Sequence, residues 1–246
     1  ELDAIELTVH DPLRAAVDVT RSFGDSTVVQ RISLDAGSRA VDFRATVQWR
    51  EREHILKVSF PLDVRATHAA AEMQYGHVER PVAVNTSWDD ARFETCGHRW
   101  LQLREPGYAV TLATDSGYGH DVTAAGGSEA TATSGVDARL SLLRAPNSPD
   151  PDADLGLHTL RYSLTVGTDL AAAHAAGLRL NQPLRVVDGV ADLAAPVRLT
   201  GRDPVSLAVI DAIKPAFDGS GDLIVRLHEA AGARSRVRLT LAEPAR

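Results

Sequence analysis

Three short stretches hold residue types that do chemistry. In PDPDADLG, Asp150, Asp152 and Asp154 stand at alternate positions, like the start of a calcium loop of the form D-x-D-x-D-G-x5-E. That loop needs glycine at its sixth position for the sharp turn and glutamate at its twelfth to close the coordination sphere, and these places hold Leu155 and Arg161. The stretch therefore reads as a proline-fixed turn capped by aspartates. Cys96 and His98, two apart, would share one face of a strand as a nucleophile and its base do. No other pattern singles them out, and a small buried thiol beside a satisfied histidine is the plainer expectation. The third stretch, YGHVERPVAVNTSWDDARFE from Tyr75 to Glu94, gathers aromatic, basic and acidic side chains around a proline. It suits either an active site or a packed, hydrogen-bonded loop.

Other constellations are weaker. Nine histidines and 33 acids include no HExxH or comparable zinc spacing. Asp89, Asp90, Asp115 and Asp121 are polar-loop carboxylates of the kind glycoside hydrolysis uses in pairs about 5 to 10 Å apart, a separation that sequence does not measure. Asn85-Thr86-Ser87 is formally a glycosylation acceptor, meaningful only in a eukaryotic secretory pathway.

Composition bounds the background. The chain has 246 residues, 44% hydrophobic and 24% charged, which suits one large or two modest globular β domains. A net charge of −7 without a basic tract argues against a nonspecific grip on nucleic acid. Cys96 is the single cysteine, so no internal disulfide framework exists and a reducing compartment is compatible; the expected location is cytoplasmic. No apolar run reaches the roughly 18 to 20 residues of a membrane span, and ELDAIELTVH lacks the features of a signal peptide. The chain begins at Glu1 and its one methionine is Met73, from which we expect a piece of a longer protein.

The elements that must position these residues are mostly strands. In VDFRATVQW, Val41, Phe43, Ala45, Val47 and Trp49 alternate with polar residues, the period of a half-buried strand. REREH would form a solvated turn, and Leu56, Val58 and Phe60 alternate again, which predicts an antiparallel hairpin. Further strand signals lie at Ala15 to Val19, Thr27 to Leu34, Tyr108 to Ala113, Ala138 to Leu143 and His158 to Val166. DLAAAHAAG, from Asp169 to Gly177, predicts a helix with an acidic N-cap and a terminal glycine, serving as a connector. PLRVV, VSLAVIDAI, DLIVRLHEA and SRVRLTLAE read as four further strands, the last two paired across EAAGARS. GGSEATATSG, from Gly126 to Gly135, reads as a flexible surface loop. The expected class is all-β, with a larger domain over 1–166 and a smaller one over 167–246.

The collinear blocks FGDSTVVQ (Phe23 to Gln30), VDFRATVQWREREHILKVSFPLDV (Val41 to Val64), QYGHVERPVAVNTSWDDARFE (Gln74 to Glu94), EPGYAVTLATDSGYGHDV (Glu105 to Val122), PNSPDPDADLGLHTLRYSL (Pro146 to Leu164) and NQPLRVV (Asn181 to Val187) carry a resemblance. With them the chain resembles the C-terminal β region of glycoside hydrolase family 38, the α-mannosidases. The resemblance implies a large antiparallel supersandwich, similar to the galactose mutarotase architecture, followed by a smaller β-sandwich. It also implies that the aspartate nucleophile and the zinc ligands belong to an N-terminal catalytic barrel outside this chain. Neither a catalytic residue nor a metal ligand is therefore assigned here, and zinc is expected only in the parent's catalytic domain.

The implied role is a noncatalytic β region that packs on the barrel and touches mannose-containing glycans. Tyr75 and Trp88 would stack on a sugar face, although burial is the expected fate of Trp88. Arg80, Asp89 and Arg92 would hold hydroxyls or one another. Arg144 sits where the family's β domain extends an arginine toward the sugar, and His77 and His120 are candidates for the interdomain face. Surface left uncovered by the missing domain would favour self-association. The alternative is an independent carbohydrate-binding sandwich.

Overall fold

The structure is a computed structural model that describes residues 1–124, 135–189, 195–200 and 207–242. Its elements in chain order are β1 (Leu2–His10), β2 (Arg14–Phe23), β3 (Ser26–Asp35), β4 (Ala40–Trp49), β5 (His54–Leu62), β6 (His68–Met73), β7 (Gly76–Pro81), α1 (Ser87–Asp90), β8 (Thr95–Cys96) and β9 (Trp100–Glu105). There follow β10 (Tyr108–Thr114), β11 (Gly119–Ala124), β12 (Val136–Ala145), β13 (Gly156–Gly167), α2 (Leu170–Asn181), β14 (Val197–Thr200), β15 (Ala208–Pro215), β16 (Leu223–Glu229) and β17 (Arg238–Leu241). The all-β expectation holds. Two compact units divide the chain: Glu1–Glu72 with Glu79–Pro183, and Met73–Val78 with Leu184–Arg246.

The first unit is built on a nine-stranded sheet of order β1-β2-β3-β4-β13-β10-β9-β6-β7 and a four-stranded sheet of order β5-β12-β11-β8. Alternation along β4 works as the sequence suggests: Ala45, Val47 and Trp49 are buried. Phe43 stacks on Tyr162 of β13 at 5.1 Å, and Phe60 of β5 meets both rings edge-on, so this aromatic trio joins the two sheets. The hairpin expected from β4 and β5 is corrected here. β4 pairs with β3 and β13, whereas β5 pairs with β12 in the other sheet. Period-two alternation reveals which face of a strand is buried but not which neighbour shares its hydrogen bonds. These two apolar faces look at each other across the core rather than lying side by side.

Tyr162 is almost fully buried, and burial raises its phenol to about 12 even though Gln30 donates to its oxygen. The opposite face of the same sheet is covered by α2. Ala173, Ala176 and Leu180 pack on Ala70, Trp100 and Ala113, small residues on both sides letting helix and sheet approach closely. Asp169 caps the helix by accepting from Ala172 N at 2.9 Å, as expected. The buried Gln102 amide donates 2.8 Å to the Asp169 carbonyl, and Asn181 Nδ2 donates 2.9 Å to the Thr114 carbonyl. Both ends are thus tied to the sheet, which makes the expected connector a core element of the first unit. Gly177 does not end it, since the helix runs on to Asn181. A Cβ at Gly177 would lie 2.8 Å from Trp100 Cδ1 and 3.1 Å from Arg99 Cβ, so glycine is there for proximity.

The second unit, among the described residues, contains two antiparallel pairs, β14 with β17 and β15 with β16. β16 and β17 were expected to pair with each other; each instead takes an earlier strand as partner. Leu184 to Val187 carries no strand, contrary to expectation, and Leu184, Val186 and Val187 are exposed. Of GGSEATATSG, residues 126–134 lie outside the described residues.

Gly177→Ala gains helix propensity worth about 1 kcal/mol, yet must displace an indole ring in a packed layer, which costs about 1 to 3 kcal/mol. We expect a net loss of stability in urea unfolding; a stabilised variant would contradict the packing described.

Candidate functional site

The local reason for the density of Tyr75 to Glu94 is a capping box. Thr86 is the N-cap of α1: its hydroxyl accepts from Asp89 N at 3.2 Å, and Asp89 Oδ2 accepts from Thr86 N at 3.1 Å and Thr86 Oγ1 at 2.8 Å. Arg92 adds a contact to Asp89 Oδ1 at 3.3 Å. Thr86 is the first influence holding the Asp89 carboxyl below its ordinary range, followed by Asn85 N–H. The loop therefore consumes much of its own polarity.

This loop, β7, β11 and β12 enclose a cavity of about 260 Å³, all of it within the first unit. Its polar wall includes Arg80, Asp89, Arg92, Glu94, His120 and Asp121. Asp121 was expected in a loop and instead lies buried on β11, where Lys57 Nζ reaches it at 2.6 Å and Arg139 at 2.5 Å. Lys57 also meets Glu94 at 3.1 Å. Burial works against the Glu94 carboxylate, but the Ser141 hydroxyl and Lys57 outweigh it and hold the group below its ordinary value.

His120 is buried and pushed down to about 4, by burial first and then by the Arg80 charge. Its ring is close enough to Gly97 that a Cβ there would lie 2.8 Å from Cε1. Burial, the largest influence, also pulls the Arg80 guanidinium below its ordinary value, and the Arg92 charge pushes the same way. The buried Nη1 of Arg80 has no hydrogen-bond partner among the described residues.

The structure thus brings Arg80, Asp89 and His120 together. Trp88 is 83% exposed on α1, so its expected burial is corrected: in a four-residue helix with no buried residue, nothing covers the indole. Arg144 does not line the cavity; its side chain is exposed, its charge helps to keep Glu94 ionised, and its N–H donates to Asp154 at 2.6 Å. Tyr75 and His77 belong to the second unit. There Tyr75, at φ 58°, meets the His228 ring edge-on at 5.4 Å, and His77 Nδ1 lies 3.0 Å from the Ala230 carbonyl.

Lys57 and Arg139, which neutralise Asp121, are absent from the sequence-based set. The signal would have been the register that sets Asp121 opposite Arg139, visible only once β11 and β12 are paired. The stretch from Asp150 to Asp154 forms a turn as expected, with Asp150 accepting from Asp152 N, but Asp152 pairs with Arg52 and Asp154 accepts from Arg144 N. Cys96 is exposed rather than buried, since it lies on the two-residue strand β8. Among the described residues no three His, Cys, Asp or Glu side chains come together to hold a metal ion.

Residues 1–152 match the family described as Glycosyl hydrolases family 38 C-terminal domain. The chain belongs to that family. Across 227 residues, or 89% of its length, this family 38 chain is 37% identical to alpha-mannosidase 2C1 of Homo sapiens, and it is 33% identical over 243 residues to alpha-mannosidase G of Dictyostelium discoideum. It spans 21% of the length of each. A crystal structure of a family 38 protein from Enterococcus faecalis shares the fold over 99% of this chain and 32% of that one, with a TM-score of 0.73 at 14% identity.

The folded pKa of His120 lies below the ordinary value of 6.5, so protons favour the unfolded chain. Stability due to this group is complete above about pH 6.5 and is lost as pH falls toward about 4, with roughly 3 kcal/mol at stake. Urea midpoints from pH 7.5 to 4.5 should fall more steeply for the natural chain than for His120→Gln; parallel curves would show that His120 does not titrate this way.

Proposed function

We propose that this chain is the noncatalytic C-terminal β region of a longer α-mannosidase, one that hydrolyses α-mannosidic bonds with a catalytic domain lying outside these residues. The identity to alpha-mannosidase 2C1 over most of this chain and only about a fifth of that protein carries the reading. The parent's zinc belongs in that catalytic domain. A surface suited to packing against it is available: Ile5 and Leu7 on the edge strand β1 are 63% and 64% exposed, and Leu13 lies uncovered beyond them. Left uncovered, the same strand edge supports self-association of the isolated chain. A cytoplasmic setting agrees with a single cysteine and no disulfide. Supplied with p-nitrophenyl α-mannoside and zinc, the 246-residue chain should show no turnover. Sustained hydrolysis abolished by a chelator would overturn the noncatalytic role.

A second reading, glycan binding by this region itself, is favoured by Trp88 and Phe93, which are 83% and 82% exposed near Arg80, Asp89 and His120 in sequence or space. Aromatic faces beside polar groups suit sugars. Arg144 in the first unit, away from the cavity, and Tyr75 and His77 in the second unit are proposed as separate glycan contacts. Trp49 and Trp100 are buried, so a saturable fluorescence change on titration with mannose oligosaccharides would report Trp88, and Trp88→Ala should abolish it. An unchanged signal in that variant would place glycan binding elsewhere.

A further inference from the structure

The charges around the cavity do not cancel evenly. Asp89 is held by Thr86 and Arg92, Glu94 by Lys57, and Asp121 by Lys57 and Arg139. Asp90, the remaining acid of the wall, is exposed on α1. Arg80 is different. It is half-buried, its Nη1 is shielded from water without a partner, and it enters no ion pair among the described residues. Nη1 is closed to any ligand as it is to water, but Arg80 also lines the cavity, and an oxyanion meeting the N–H groups that face it would supply the counter-charge that no described residue provides.

We propose that this cavity binds the oxyanion group of a small organic ligand, a carboxylate or a phosphate monoester, through the Arg80 guanidinium. The planar fork matches two oxygens of either group. Val82, Val84, Phe93 and Val122 supply an apolar wall for the ligand's carbon body, and about 260 Å³ leaves room for one of a few carbons. His120, uncharged at neutral pH, adds no second cation that would call for a more highly charged ligand. The site is independent of whether the parent cleaves mannosides, because it uses residues of this chain alone.

The test titrates the isotopically labelled 246-residue chain with sodium acetate and, separately, inorganic phosphate, using sodium chloride as the ionic-strength control. The Arg80 Nε–H resonance is followed by NMR. We expect a saturable shift with at least one probe and none with chloride. The probe that saturates at lower concentration assigns the carboxylate or the phosphate class. Arg80→Gln should weaken binding at least tenfold, and Arg80→Lys, which keeps the charge but loses the fork, should weaken acetate more than phosphate. Absence of a saturable shift with both probes, or binding unchanged in Arg80→Gln, would overturn the proposal. Should Arg80→Gln fail to fold, modification of the natural chain by phenylglyoxal decides. Protection mapped to Arg80 by the bound probe supports the site, and equal labelling with and without probe refutes it.

Discussion

The centre of the nine-stranded sheet is buried from both sides, and most of the first unit follows from that constraint. One face of β10 and β13 meets the four-stranded sheet through Tyr162 and Phe60, and the other lies under α2. A strand covered on both faces has no solvent side for polar groups, so each must find a partner inside. Gln102 shows a partial solution: its Nε2 serves the Thr111 hydroxyl and the helix N-cap carbonyl at once, while its Oε1 and the Ser163 hydroxyl have no partner among the described residues. Glu72, also buried, accepts from the Arg99 backbone and guanidinium beside His174. Polarity in this core ties the helix to the sheet.

The same principle operates at the rim with a different result. Around the cavity, cross-strand and loop pairing satisfies Asp89, Glu94 and Asp121, which are therefore poorly placed to act as free acids in hydrolysis. Asp115 is likewise occupied, by Arg161 at 2.8 Å. The carboxylates that a sequence offers as catalytic candidates are here the counter-charges of a structural network. Among the described residues of the wall, Arg80 and the exposed Asp90 are left without an ion pair, beside a neutral imidazole. The alpha-mannosidases named above are several times longer than this chain.

Strands with a clean alternation were legible from sequence, and so was the helix start, because burial period and N-cap chemistry are local. Partner choice was not. β4 and β5 alternate in the same way yet lie in different sheets, and β16 pairs backward to β15 although a turn-rich segment leads on toward β17. β6 and β11 gave little signal because strands built of small or polar residues, such as His68–Met73 with its three alanines, show no alternation. Of the candidate site, Arg80, Asp89 and His120 were legible as unusual residue types; the role of Asp89 as a cap could be read from Thr86 three residues earlier, but the exposure of Trp88 could not.

By itself the sequence determined the class of structure, the family and the absence of any local metal or nucleophile motif, since these reside in residue order and short-range pattern. Only the tertiary structure decided which charges meet. Lys57, Asp121 and Arg139 come from three different strands, and Arg80 is left without an ion pair among the described residues by where the others go. Charge pairing acts through space over a few ångströms, and the chain must fold before those distances exist.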